Sequence, residues 1–144
     1  MDPRQLADQT HPGLAGKHAI VTGAATGIGF AIARALAAQD VKVAIADLNL
    51  DAARTAAASL GEGHHAVKID VRERQSVQAA FDEAVALSGG IDICIANAGV
   101  STMRAAVDLT DEDWDFNMDV NARGVFLTDQ VAARHFLNKN NGVI

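Results

Sequence analysis

The sequence contains no tyrosine, so no phenolic acid or base can come from these 144 residues. Cys94 is the only cysteine, which excludes an internal disulfide. It lies in the apolar run Ile91-Asp92-Ile93-Cys94-Ile95 and reads as a small buried hydrophobe rather than a reactive thiol. Both prolines fall within Met1 to Gly13, a polar stretch without an apolar segment, so no secretory signal is expected there. No apolar run approaches the ~20 residues a transmembrane helix needs. Basic residues are few and scattered singly: 12 Lys and Arg against 18 Asp and Glu give a net charge of −6. That balance argues against nucleic acid or an anionic membrane as a partner. His64-His65 lack further ligands at metal spacing and read as loop residues, with no metal site expected. A soluble cytoplasmic protein is the expectation.

What is present is globular: 49% apolar and 21% charged residues, enough for one domain with a sizeable core. An irregular arm over 1–16 leads to a first strand at His18 to Thr22. Ile28, Ile32 and Leu36 then recur at helical spacing. Val41 to Ala46 is β-branched and closes on Asp47. Asn49 is placed to cap a helix through Leu60, and Gly61 to stop it. The cycle repeats with Ala66 to Ile69 ending on Asp70, then a helix carrying Val77, Ala80, Phe81, Ala84 and Val85. Gly89 and Gly90 end that helix before a strand from Ile91 to Ala96. Thr110 is placed to cap a long helix that runs to about Asn138, with Trp114 as a packing anchor. Val125, Phe126 and Leu127 make it apolar nearly all round, which predicts burial on two sides.

Strands alternating with helices, with little polar alternation inside the strands, predict an α/β fold with a mostly parallel sheet covered on both faces. After the turn Asn140-Asn141-Gly142, Val143-Ile144 reads as the opening of a fifth strand. The expected organisation is therefore an arm over 1–16 and one α/β portion over 17–144, cut at the start of that strand.

The chemistry concentrates where the first strand meets the first helix, at Thr22-Gly23-Ala24-Ala25-Thr26-Gly27-Ile28-Gly29. A helix beginning at a glycine turn directs unpaired N–H groups and its positive end at a phosphate. Gly23 is expected to serve the tight turn, Gly27 the close approach to a pyrophosphate, and Gly29 the packing of helix on strand. The alternative is a glycine-rich turn with no ligand. Asp47 ends the second strand 18 residues after Gly29, where a carboxylate accepts ribose hydroxyls and repels a 2′-phosphate. Neither Leu48 nor residues 24–26 offer a basic group for such a phosphate, so NAD is favoured over NADP. Asp70, with Val71 beside it, either takes an adenine amino group or caps the following helix. Asn97-Ala98-Gly99 lies at the carboxyl edge of the sheet, where small residues leave room for a cofactor.

These motifs, with Val120-Asn121, occur in the order seen in short-chain dehydrogenases/reductases, and from about Gly13 onward the chain resembles that family. The resemblance implies a Rossmann-type doubly wound sheet, with NAD held by Gly23, Ala25, Thr26, Gly27, Ile28 and Gly29 at the phosphates. It also implies contacts from Asp47, Leu48, Asp70 and Val71 at the adenosine, and from Asn97, Ala98, Gly99 and Val120 beyond it. It implies hydride transfer between NAD and an alcohol or ketone, with a Ser-Tyr-Lys set and an Asn as the catalytic groups. Of those four only Asn121 has a matching position; its amide would disturb the helix to hold a water. Ser101 and Lys139 match neither the order nor the context. The chain alone is expected to be inactive, and a homo-oligomer is expected for the complete protein. The competing readings are a non-catalytic NAD-binding module and a mononucleotide-binding fold without nicotinamide chemistry.

Overall fold

The computed structural model describes residues 11–144. Of the expected arm, residues 1–10 lie outside the described residues; 11–16 form successive turns, with Leu14 N–H donating to the His11 carbonyl at 3.2 Å. Strands β1 (His18–Thr22), β2 (Lys42–Asp47), β3 (His65–Lys68) and β4 (Ile93–Ile95) make one parallel sheet in the order β3-β2-β1-β4. Ile20 of β1 lies opposite Ala44 on one side and Cys94 on the other. Past β3 the chain returns to the far side of β1, so the sheet reverses its winding between β1 and β4. Crevices that hold ligands in open α/β sheets form at such a switch point, outside the carboxyl ends of the strands. Val143 extends the outer edge: its N–H donates to the Asp92 carbonyl at 3.0 Å, and Cys94 N–H donates to its carbonyl at 2.9 Å. The expected fifth strand thus has its first parallel pairing.

The helices are α1 (Gly27–Ala37), α2 (Leu50–Leu60), α3 (Arg74–Ser88), α4 (Asp111–Met118) and α5 (Gly124–Lys139); α1 and α2 cover one face of the sheet, α3 and α5 the other, and α4 buries no residue. Strand alternation divides the core accordingly. Ala19, Val21, Val43 and Ile45 pack with Ala33 of α1 and Ala53, Ala56 and Ala57 of α2. Ile20, Ala44, Ala46 and Val67 pack with Val77 and Phe81 of α3 and Leu127, Val131 and Phe136 of α5. The alanines on α1 and α2 let those helices lie close to the sheet. The doubly wound architecture follows directly from this two-sided burial.

The helix ends are set locally. The Asn49 side chain accepts from Ala52 N–H at 3.1 Å, Gly61 (φ +100) stops α2, and Gly89 (φ +78) closes α3 in the left-handed region. Thr110 and Asp113 form a reciprocal capping box at α4. Four expectations need correction. β4 covers only Ile93–Ile95, and His65 belongs to β3 rather than to a loop. The long helix is broken by a π-helical stretch at Asp119–Arg123. Trp114 is 65% exposed, so it is no packing anchor within this single chain. The inward stripe Leu127, Val131, Ala132 and Phe136 packs into the core on the sheet, while Phe126 on another flank is 55% exposed beneath the Arg74 guanidinium.

Candidate functional site

The site begins where β1 ends. Thr22 is buried, and its hydroxyl oxygen accepts from both Asn97 N–H and Ala98 N–H at 3.0 Å. The Asn97 amide returns the link, donating to the Thr22 carbonyl at 2.9 Å and to the Gly23 carbonyl at 3.3 Å. The turn after β1 and the turn after β4 are therefore stitched together at the switch point.

The three glycines of the motif differ in what surrounds them. Gly23 has φ +63, and a Cβ there would lie 2.8 Å from the Ala98 Cα. A Cβ on Gly29 would collide with the Gly23 carbonyl oxygen and stand 2.9 Å from the Ala24 Cα. Both exist for the protein's own packing. Gly27 has φ +59, and a Cβ there would meet nothing within 4 Å. Its missing side chain leaves open space above the start of α1. Thr26, preceding that helix, makes no side-chain cap, so the first N–H groups of α1 face the opening.

Asp47 closes the far side. Its Oδ2 accepts from Ala25 N–H at 3.1 Å and its Oδ1 from Asn49 N–H at 3.0 Å. Those two bonds fix the carboxylate and leave further lone pairs on each oxygen. Ala25 thus acts through its backbone, and it does not line the cleft with the rest of the set.

Asp70 is held by Arg72. The guanidinium donates to Oδ1 at 2.9 Å and to Oδ2 at 2.6 Å, and the Arg72 backbone N–H adds a third bond at 3.0 Å. That hydrogen bonding, opposed by burial, holds the Asp70 carboxyl below its usual range. The capping alternative is not what forms, since α3 starts after Glu73 and no Asp70 oxygen reaches its first amides.

These groups surround a cleft of about 590 Å³. Gly23, Thr26, Gly27, Ile28 and Gly29 line its floor, and Asp47, Leu48, Asp70 and Val71 one end. Asn97, Ala98, Gly99 and Val120 line the other. Asn121 does not line it. Ile69, Arg72, Val100 and Phe116 line it without having been picked from the sequence. An acid followed two residues later by arginine at a strand end was the readable signal for Arg72. Nothing local marked Phe116.

Asn121 lies in the π-helical stretch, whose closing bond runs from Gly124 N–H to the Asp119 carbonyl. Its amide oxygen accepts from Val100 N–H at 2.8 Å, and its amide nitrogen donates to the Val100 carbonyl at 2.7 Å. The helix ladder is disturbed as expected, but the amide is engaged by the loop after β4 rather than held out for water alone. Gly124, which follows the stretch, lets Val71 pack closely against it, since a Cβ there would stand 2.7 Å from Val71 Cγ2. Cys94 takes no part: burial pushes its thiol up to about 12.

The family described as short chain dehydrogenase matches residues 17–144. The chain belongs to that family. This short-chain dehydrogenase sequence is 42% identical over 134 residues to the D-threitol dehydrogenase of Mycolicibacterium smegmatis, covering 91% of this chain and 52% of that one. It is 36% identical over 129 residues to the sorbitol dehydrogenase of Cereibacter sphaeroides, covering 90% and 50%. Among solved structures it is similar to a 3-ketoacyl-(acyl-carrier-protein) reductase from Brucella melitensis complexed with NADH. That match has a TM-score of 0.84 and 33% identity over 88% of this chain and 53% of that one. A short-chain type dehydrogenase/reductase from Mycobacterium marinum matches with a TM-score of 0.85 and 34% identity, covering 99% and 58%. The chain spans about half the length of the curated relatives it matches.

Proposed function

We propose that this chain is the NAD-binding portion of an oxidoreductase that moves a hydride between the cofactor and a secondary alcohol or ketone, with polyols as the favoured alcohols. The observation that carries the reading is the pairing of Gly27, open above the first amides of α1, with the fixed carboxylate of Asp47 across the same cleft. A diphosphate fits the first, because a side chain at Gly27 would fill the approach. A ribose diol fits the second, because Asp47 keeps acceptor capacity after its two backbone bonds. A 2′-phosphate would meet that carboxylate with no cation beside it, which favours NAD over NADP.

When bound, NAD supplies the hydride acceptor or donor. The chain's residues hold and orient it. Leu48 and Val71 would flank the adenine, and Asp70 would accept its amino group once Arg72 leaves one oxygen lone pair exposed. Asn121 has one N–H and one oxygen lone pair beyond its Val100 bonds, enough to hold a water in a proton relay. The acid/base group itself is absent, because no tyrosine is present. These residues alone are therefore inactive in the proposal, and the names of the D-threitol and sorbitol dehydrogenases support a polyol for the complete enzyme. The exposed apolar side chains Trp114, Phe116, Met118 and Phe126 on α4 and α5 support a homo-oligomer. No helix among the described residues is long and apolar enough to cross a membrane, which fits the proposed cytoplasmic location.

Calorimetry with NAD, NADP and ATP tests this. NAD is expected to bind at least about tenfold more tightly than NADP, and Asp47→Asn to narrow that gap about tenfold. Equal binding of NAD and NADP would remove the assignment, and binding of ATP without NAD would favour the mononucleotide reading.

A further inference from the structure

Beyond β4 the chain leaves the cleft through residues 99–104, and one face of the neighbouring helix holds this segment at three points. Asn121 grips both backbone groups of Val100, as described above. One turn earlier, Asn117 accepts from Thr102 N–H at 3.3 Å and donates to the Thr102 hydroxyl at 2.7 Å. A turn before that, Asp113 pairs with the Arg104 guanidinium at 3.2 Å. Helix positions fall by four while loop positions rise by two. Four helical residues advance about 6 Å, a span that two loop residues can bridge, so each loop step meets the next turn of the helix. The same Asn117 nitrogen also donates to the Asp113 carbonyl at 2.7 Å, so the helix itself sets the orientation of the middle rung.

The rungs decide which side chains remain for anything outside. Arg104 is neutralised by Asp113, and Thr102 is turned toward Asn117. Ser101 is exposed, and Met103 is 94% exposed at the apex of a tight turn closed by Arg104 N–H on the Thr102 carbonyl at 3.1 Å. The turn follows directly on Gly99 and Val100, which line the cleft, so its exposed apex comes three residues beyond the last of the Asn97-Ala98-Gly99-Val100 lining.

The geometry points to Asp113, Asn117 and Asn121 as a rack that positions residues 99–104, with Ser101 and Met103, not Arg104, presented to a small polyhydroxy substrate at the outer rim. Asn117 and Asp113 are positioning residues in this scheme. The rack stands on the contacts alone; its substrate-facing half rests on the dehydrogenase reading above.

Amide hydrogen exchange on the full-length protein tests the rack. Asn117→Ala is expected to speed exchange at Thr102 about tenfold, and the milder Thr102→Val to speed it about threefold, with NAD affinity changed less than about twofold. Parental protection at Thr102 in both variants would overturn the rack. Saturation-transfer NMR on the NAD-loaded protein, with D-threitol and sorbitol as probes, tests the rim. Ser101→Ala or Met103→Ala is expected to lower transfer about threefold or change the preference between the two polyols, and Arg104→Lys, which keeps a cation for Asp113, to do neither. Transfer to neither polyol in the parent, or the largest effect at Arg104, would overturn the rim assignment. Failure of NAD itself to bind would remove the dehydrogenase reading while the exchange result still decides the rack.

Discussion

The two ends of the parallel sheet use similar residues to opposite ends. At the amino edge, Asp92 accepts from His18 N–H at 2.9 Å and from the Lys139 ammonium, which also reaches the Ile91 carbonyl at 3.2 Å. His135 Nε2 accepts from Ile91 N–H at 3.4 Å. Acid, base and backbone there satisfy one another, and the edge is closed. At the carboxyl edge, Asp47, Asn97 and Thr22 also bond backbone, but they do so around an opening lined by glycine. The difference lies in the turns: a side chain is missing where the edge must stay open, and charges pair across the gap where it must close. Polar residues alone do not make a site; the space between them does.

The largest break in this comparison is expected within the glycine turn. Gly29→Ala places a methyl against the Gly23 carbonyl and the Ala24 Cα, backbone that cannot swing aside, and against the Asn97 amide that bonds the same turn. Destabilisation of about 3 kcal/mol is expected from such overpacking. Gly27→Ala meets no atom within 4 Å, so only its left-handed backbone is penalised, by about 1–2 kcal/mol. Yet Gly27→Ala should abolish NAD binding in protein that still folds, because its methyl projects into the space a diphosphate would use. Urea melts and calorimetry on both variants separate the two roles. Parental NAD affinity in Gly27→Ala would mean that this opening is not the phosphate site.

How much of this was legible depends on the range of the interactions. The caps at Asn49, Thr110, Gly61 and Gly89 were readable because each acts within four residues. The sheet was readable because strands buried on both faces must be apolar throughout. Asn117 on Thr102 and the π-helical stretch at Asp119–Arg123 were not, since neither follows from a local pattern and the first joins segments 15 residues apart. Asn121 hinted at the last, being an unfavourable residue inside a helix. Trp114 misled for a different reason: size and apolarity describe what a residue gains by burial, not whether a neighbour is present to bury it.

The amino edge offers a smaller and more selective break. Asp92→Ala leaves His18 N–H without its acceptor and Lys139 without its counter-ion, while the cleft at the other end keeps every contact. A loss of about 1–3 kcal/mol is expected, with NAD affinity unchanged. Burial pushes the Asp92 carboxyl up, but Lys139 and His18 N–H outweigh it and hold it below the ordinary 3.8. Its contribution is therefore complete above that value and lost as pH falls through the lower folded value. An effect of Asp92→Ala on NAD affinity would show that the two edges are coupled, contrary to the separation argued here.

The smallest effect lies beside the sheet at His64, whose Nδ1 accepts from Val43 N–H at 3.1 Å. Only the neutral ring can accept there. Burial, with Lys42 and His65 nearby, holds its pKa below 6.5. Folding therefore favours the neutral form, and the contribution is complete above 6.5 and declines as pH falls through the lower folded value. This decline begins at higher pH than that of Asp92, so acid should loosen the start of β2 before it loosens the Asp92 pairing at the start of β4. His64→Asn supplies an amide oxygen near the position of Nδ1 and accepts at any pH. Urea midpoints taken every half unit between pH 7 and 5 should show the decline in the parent and its absence in His64→Asn. A decline of equal size in both would assign the acid sensitivity to another group and leave the Val43 bond indifferent to pH.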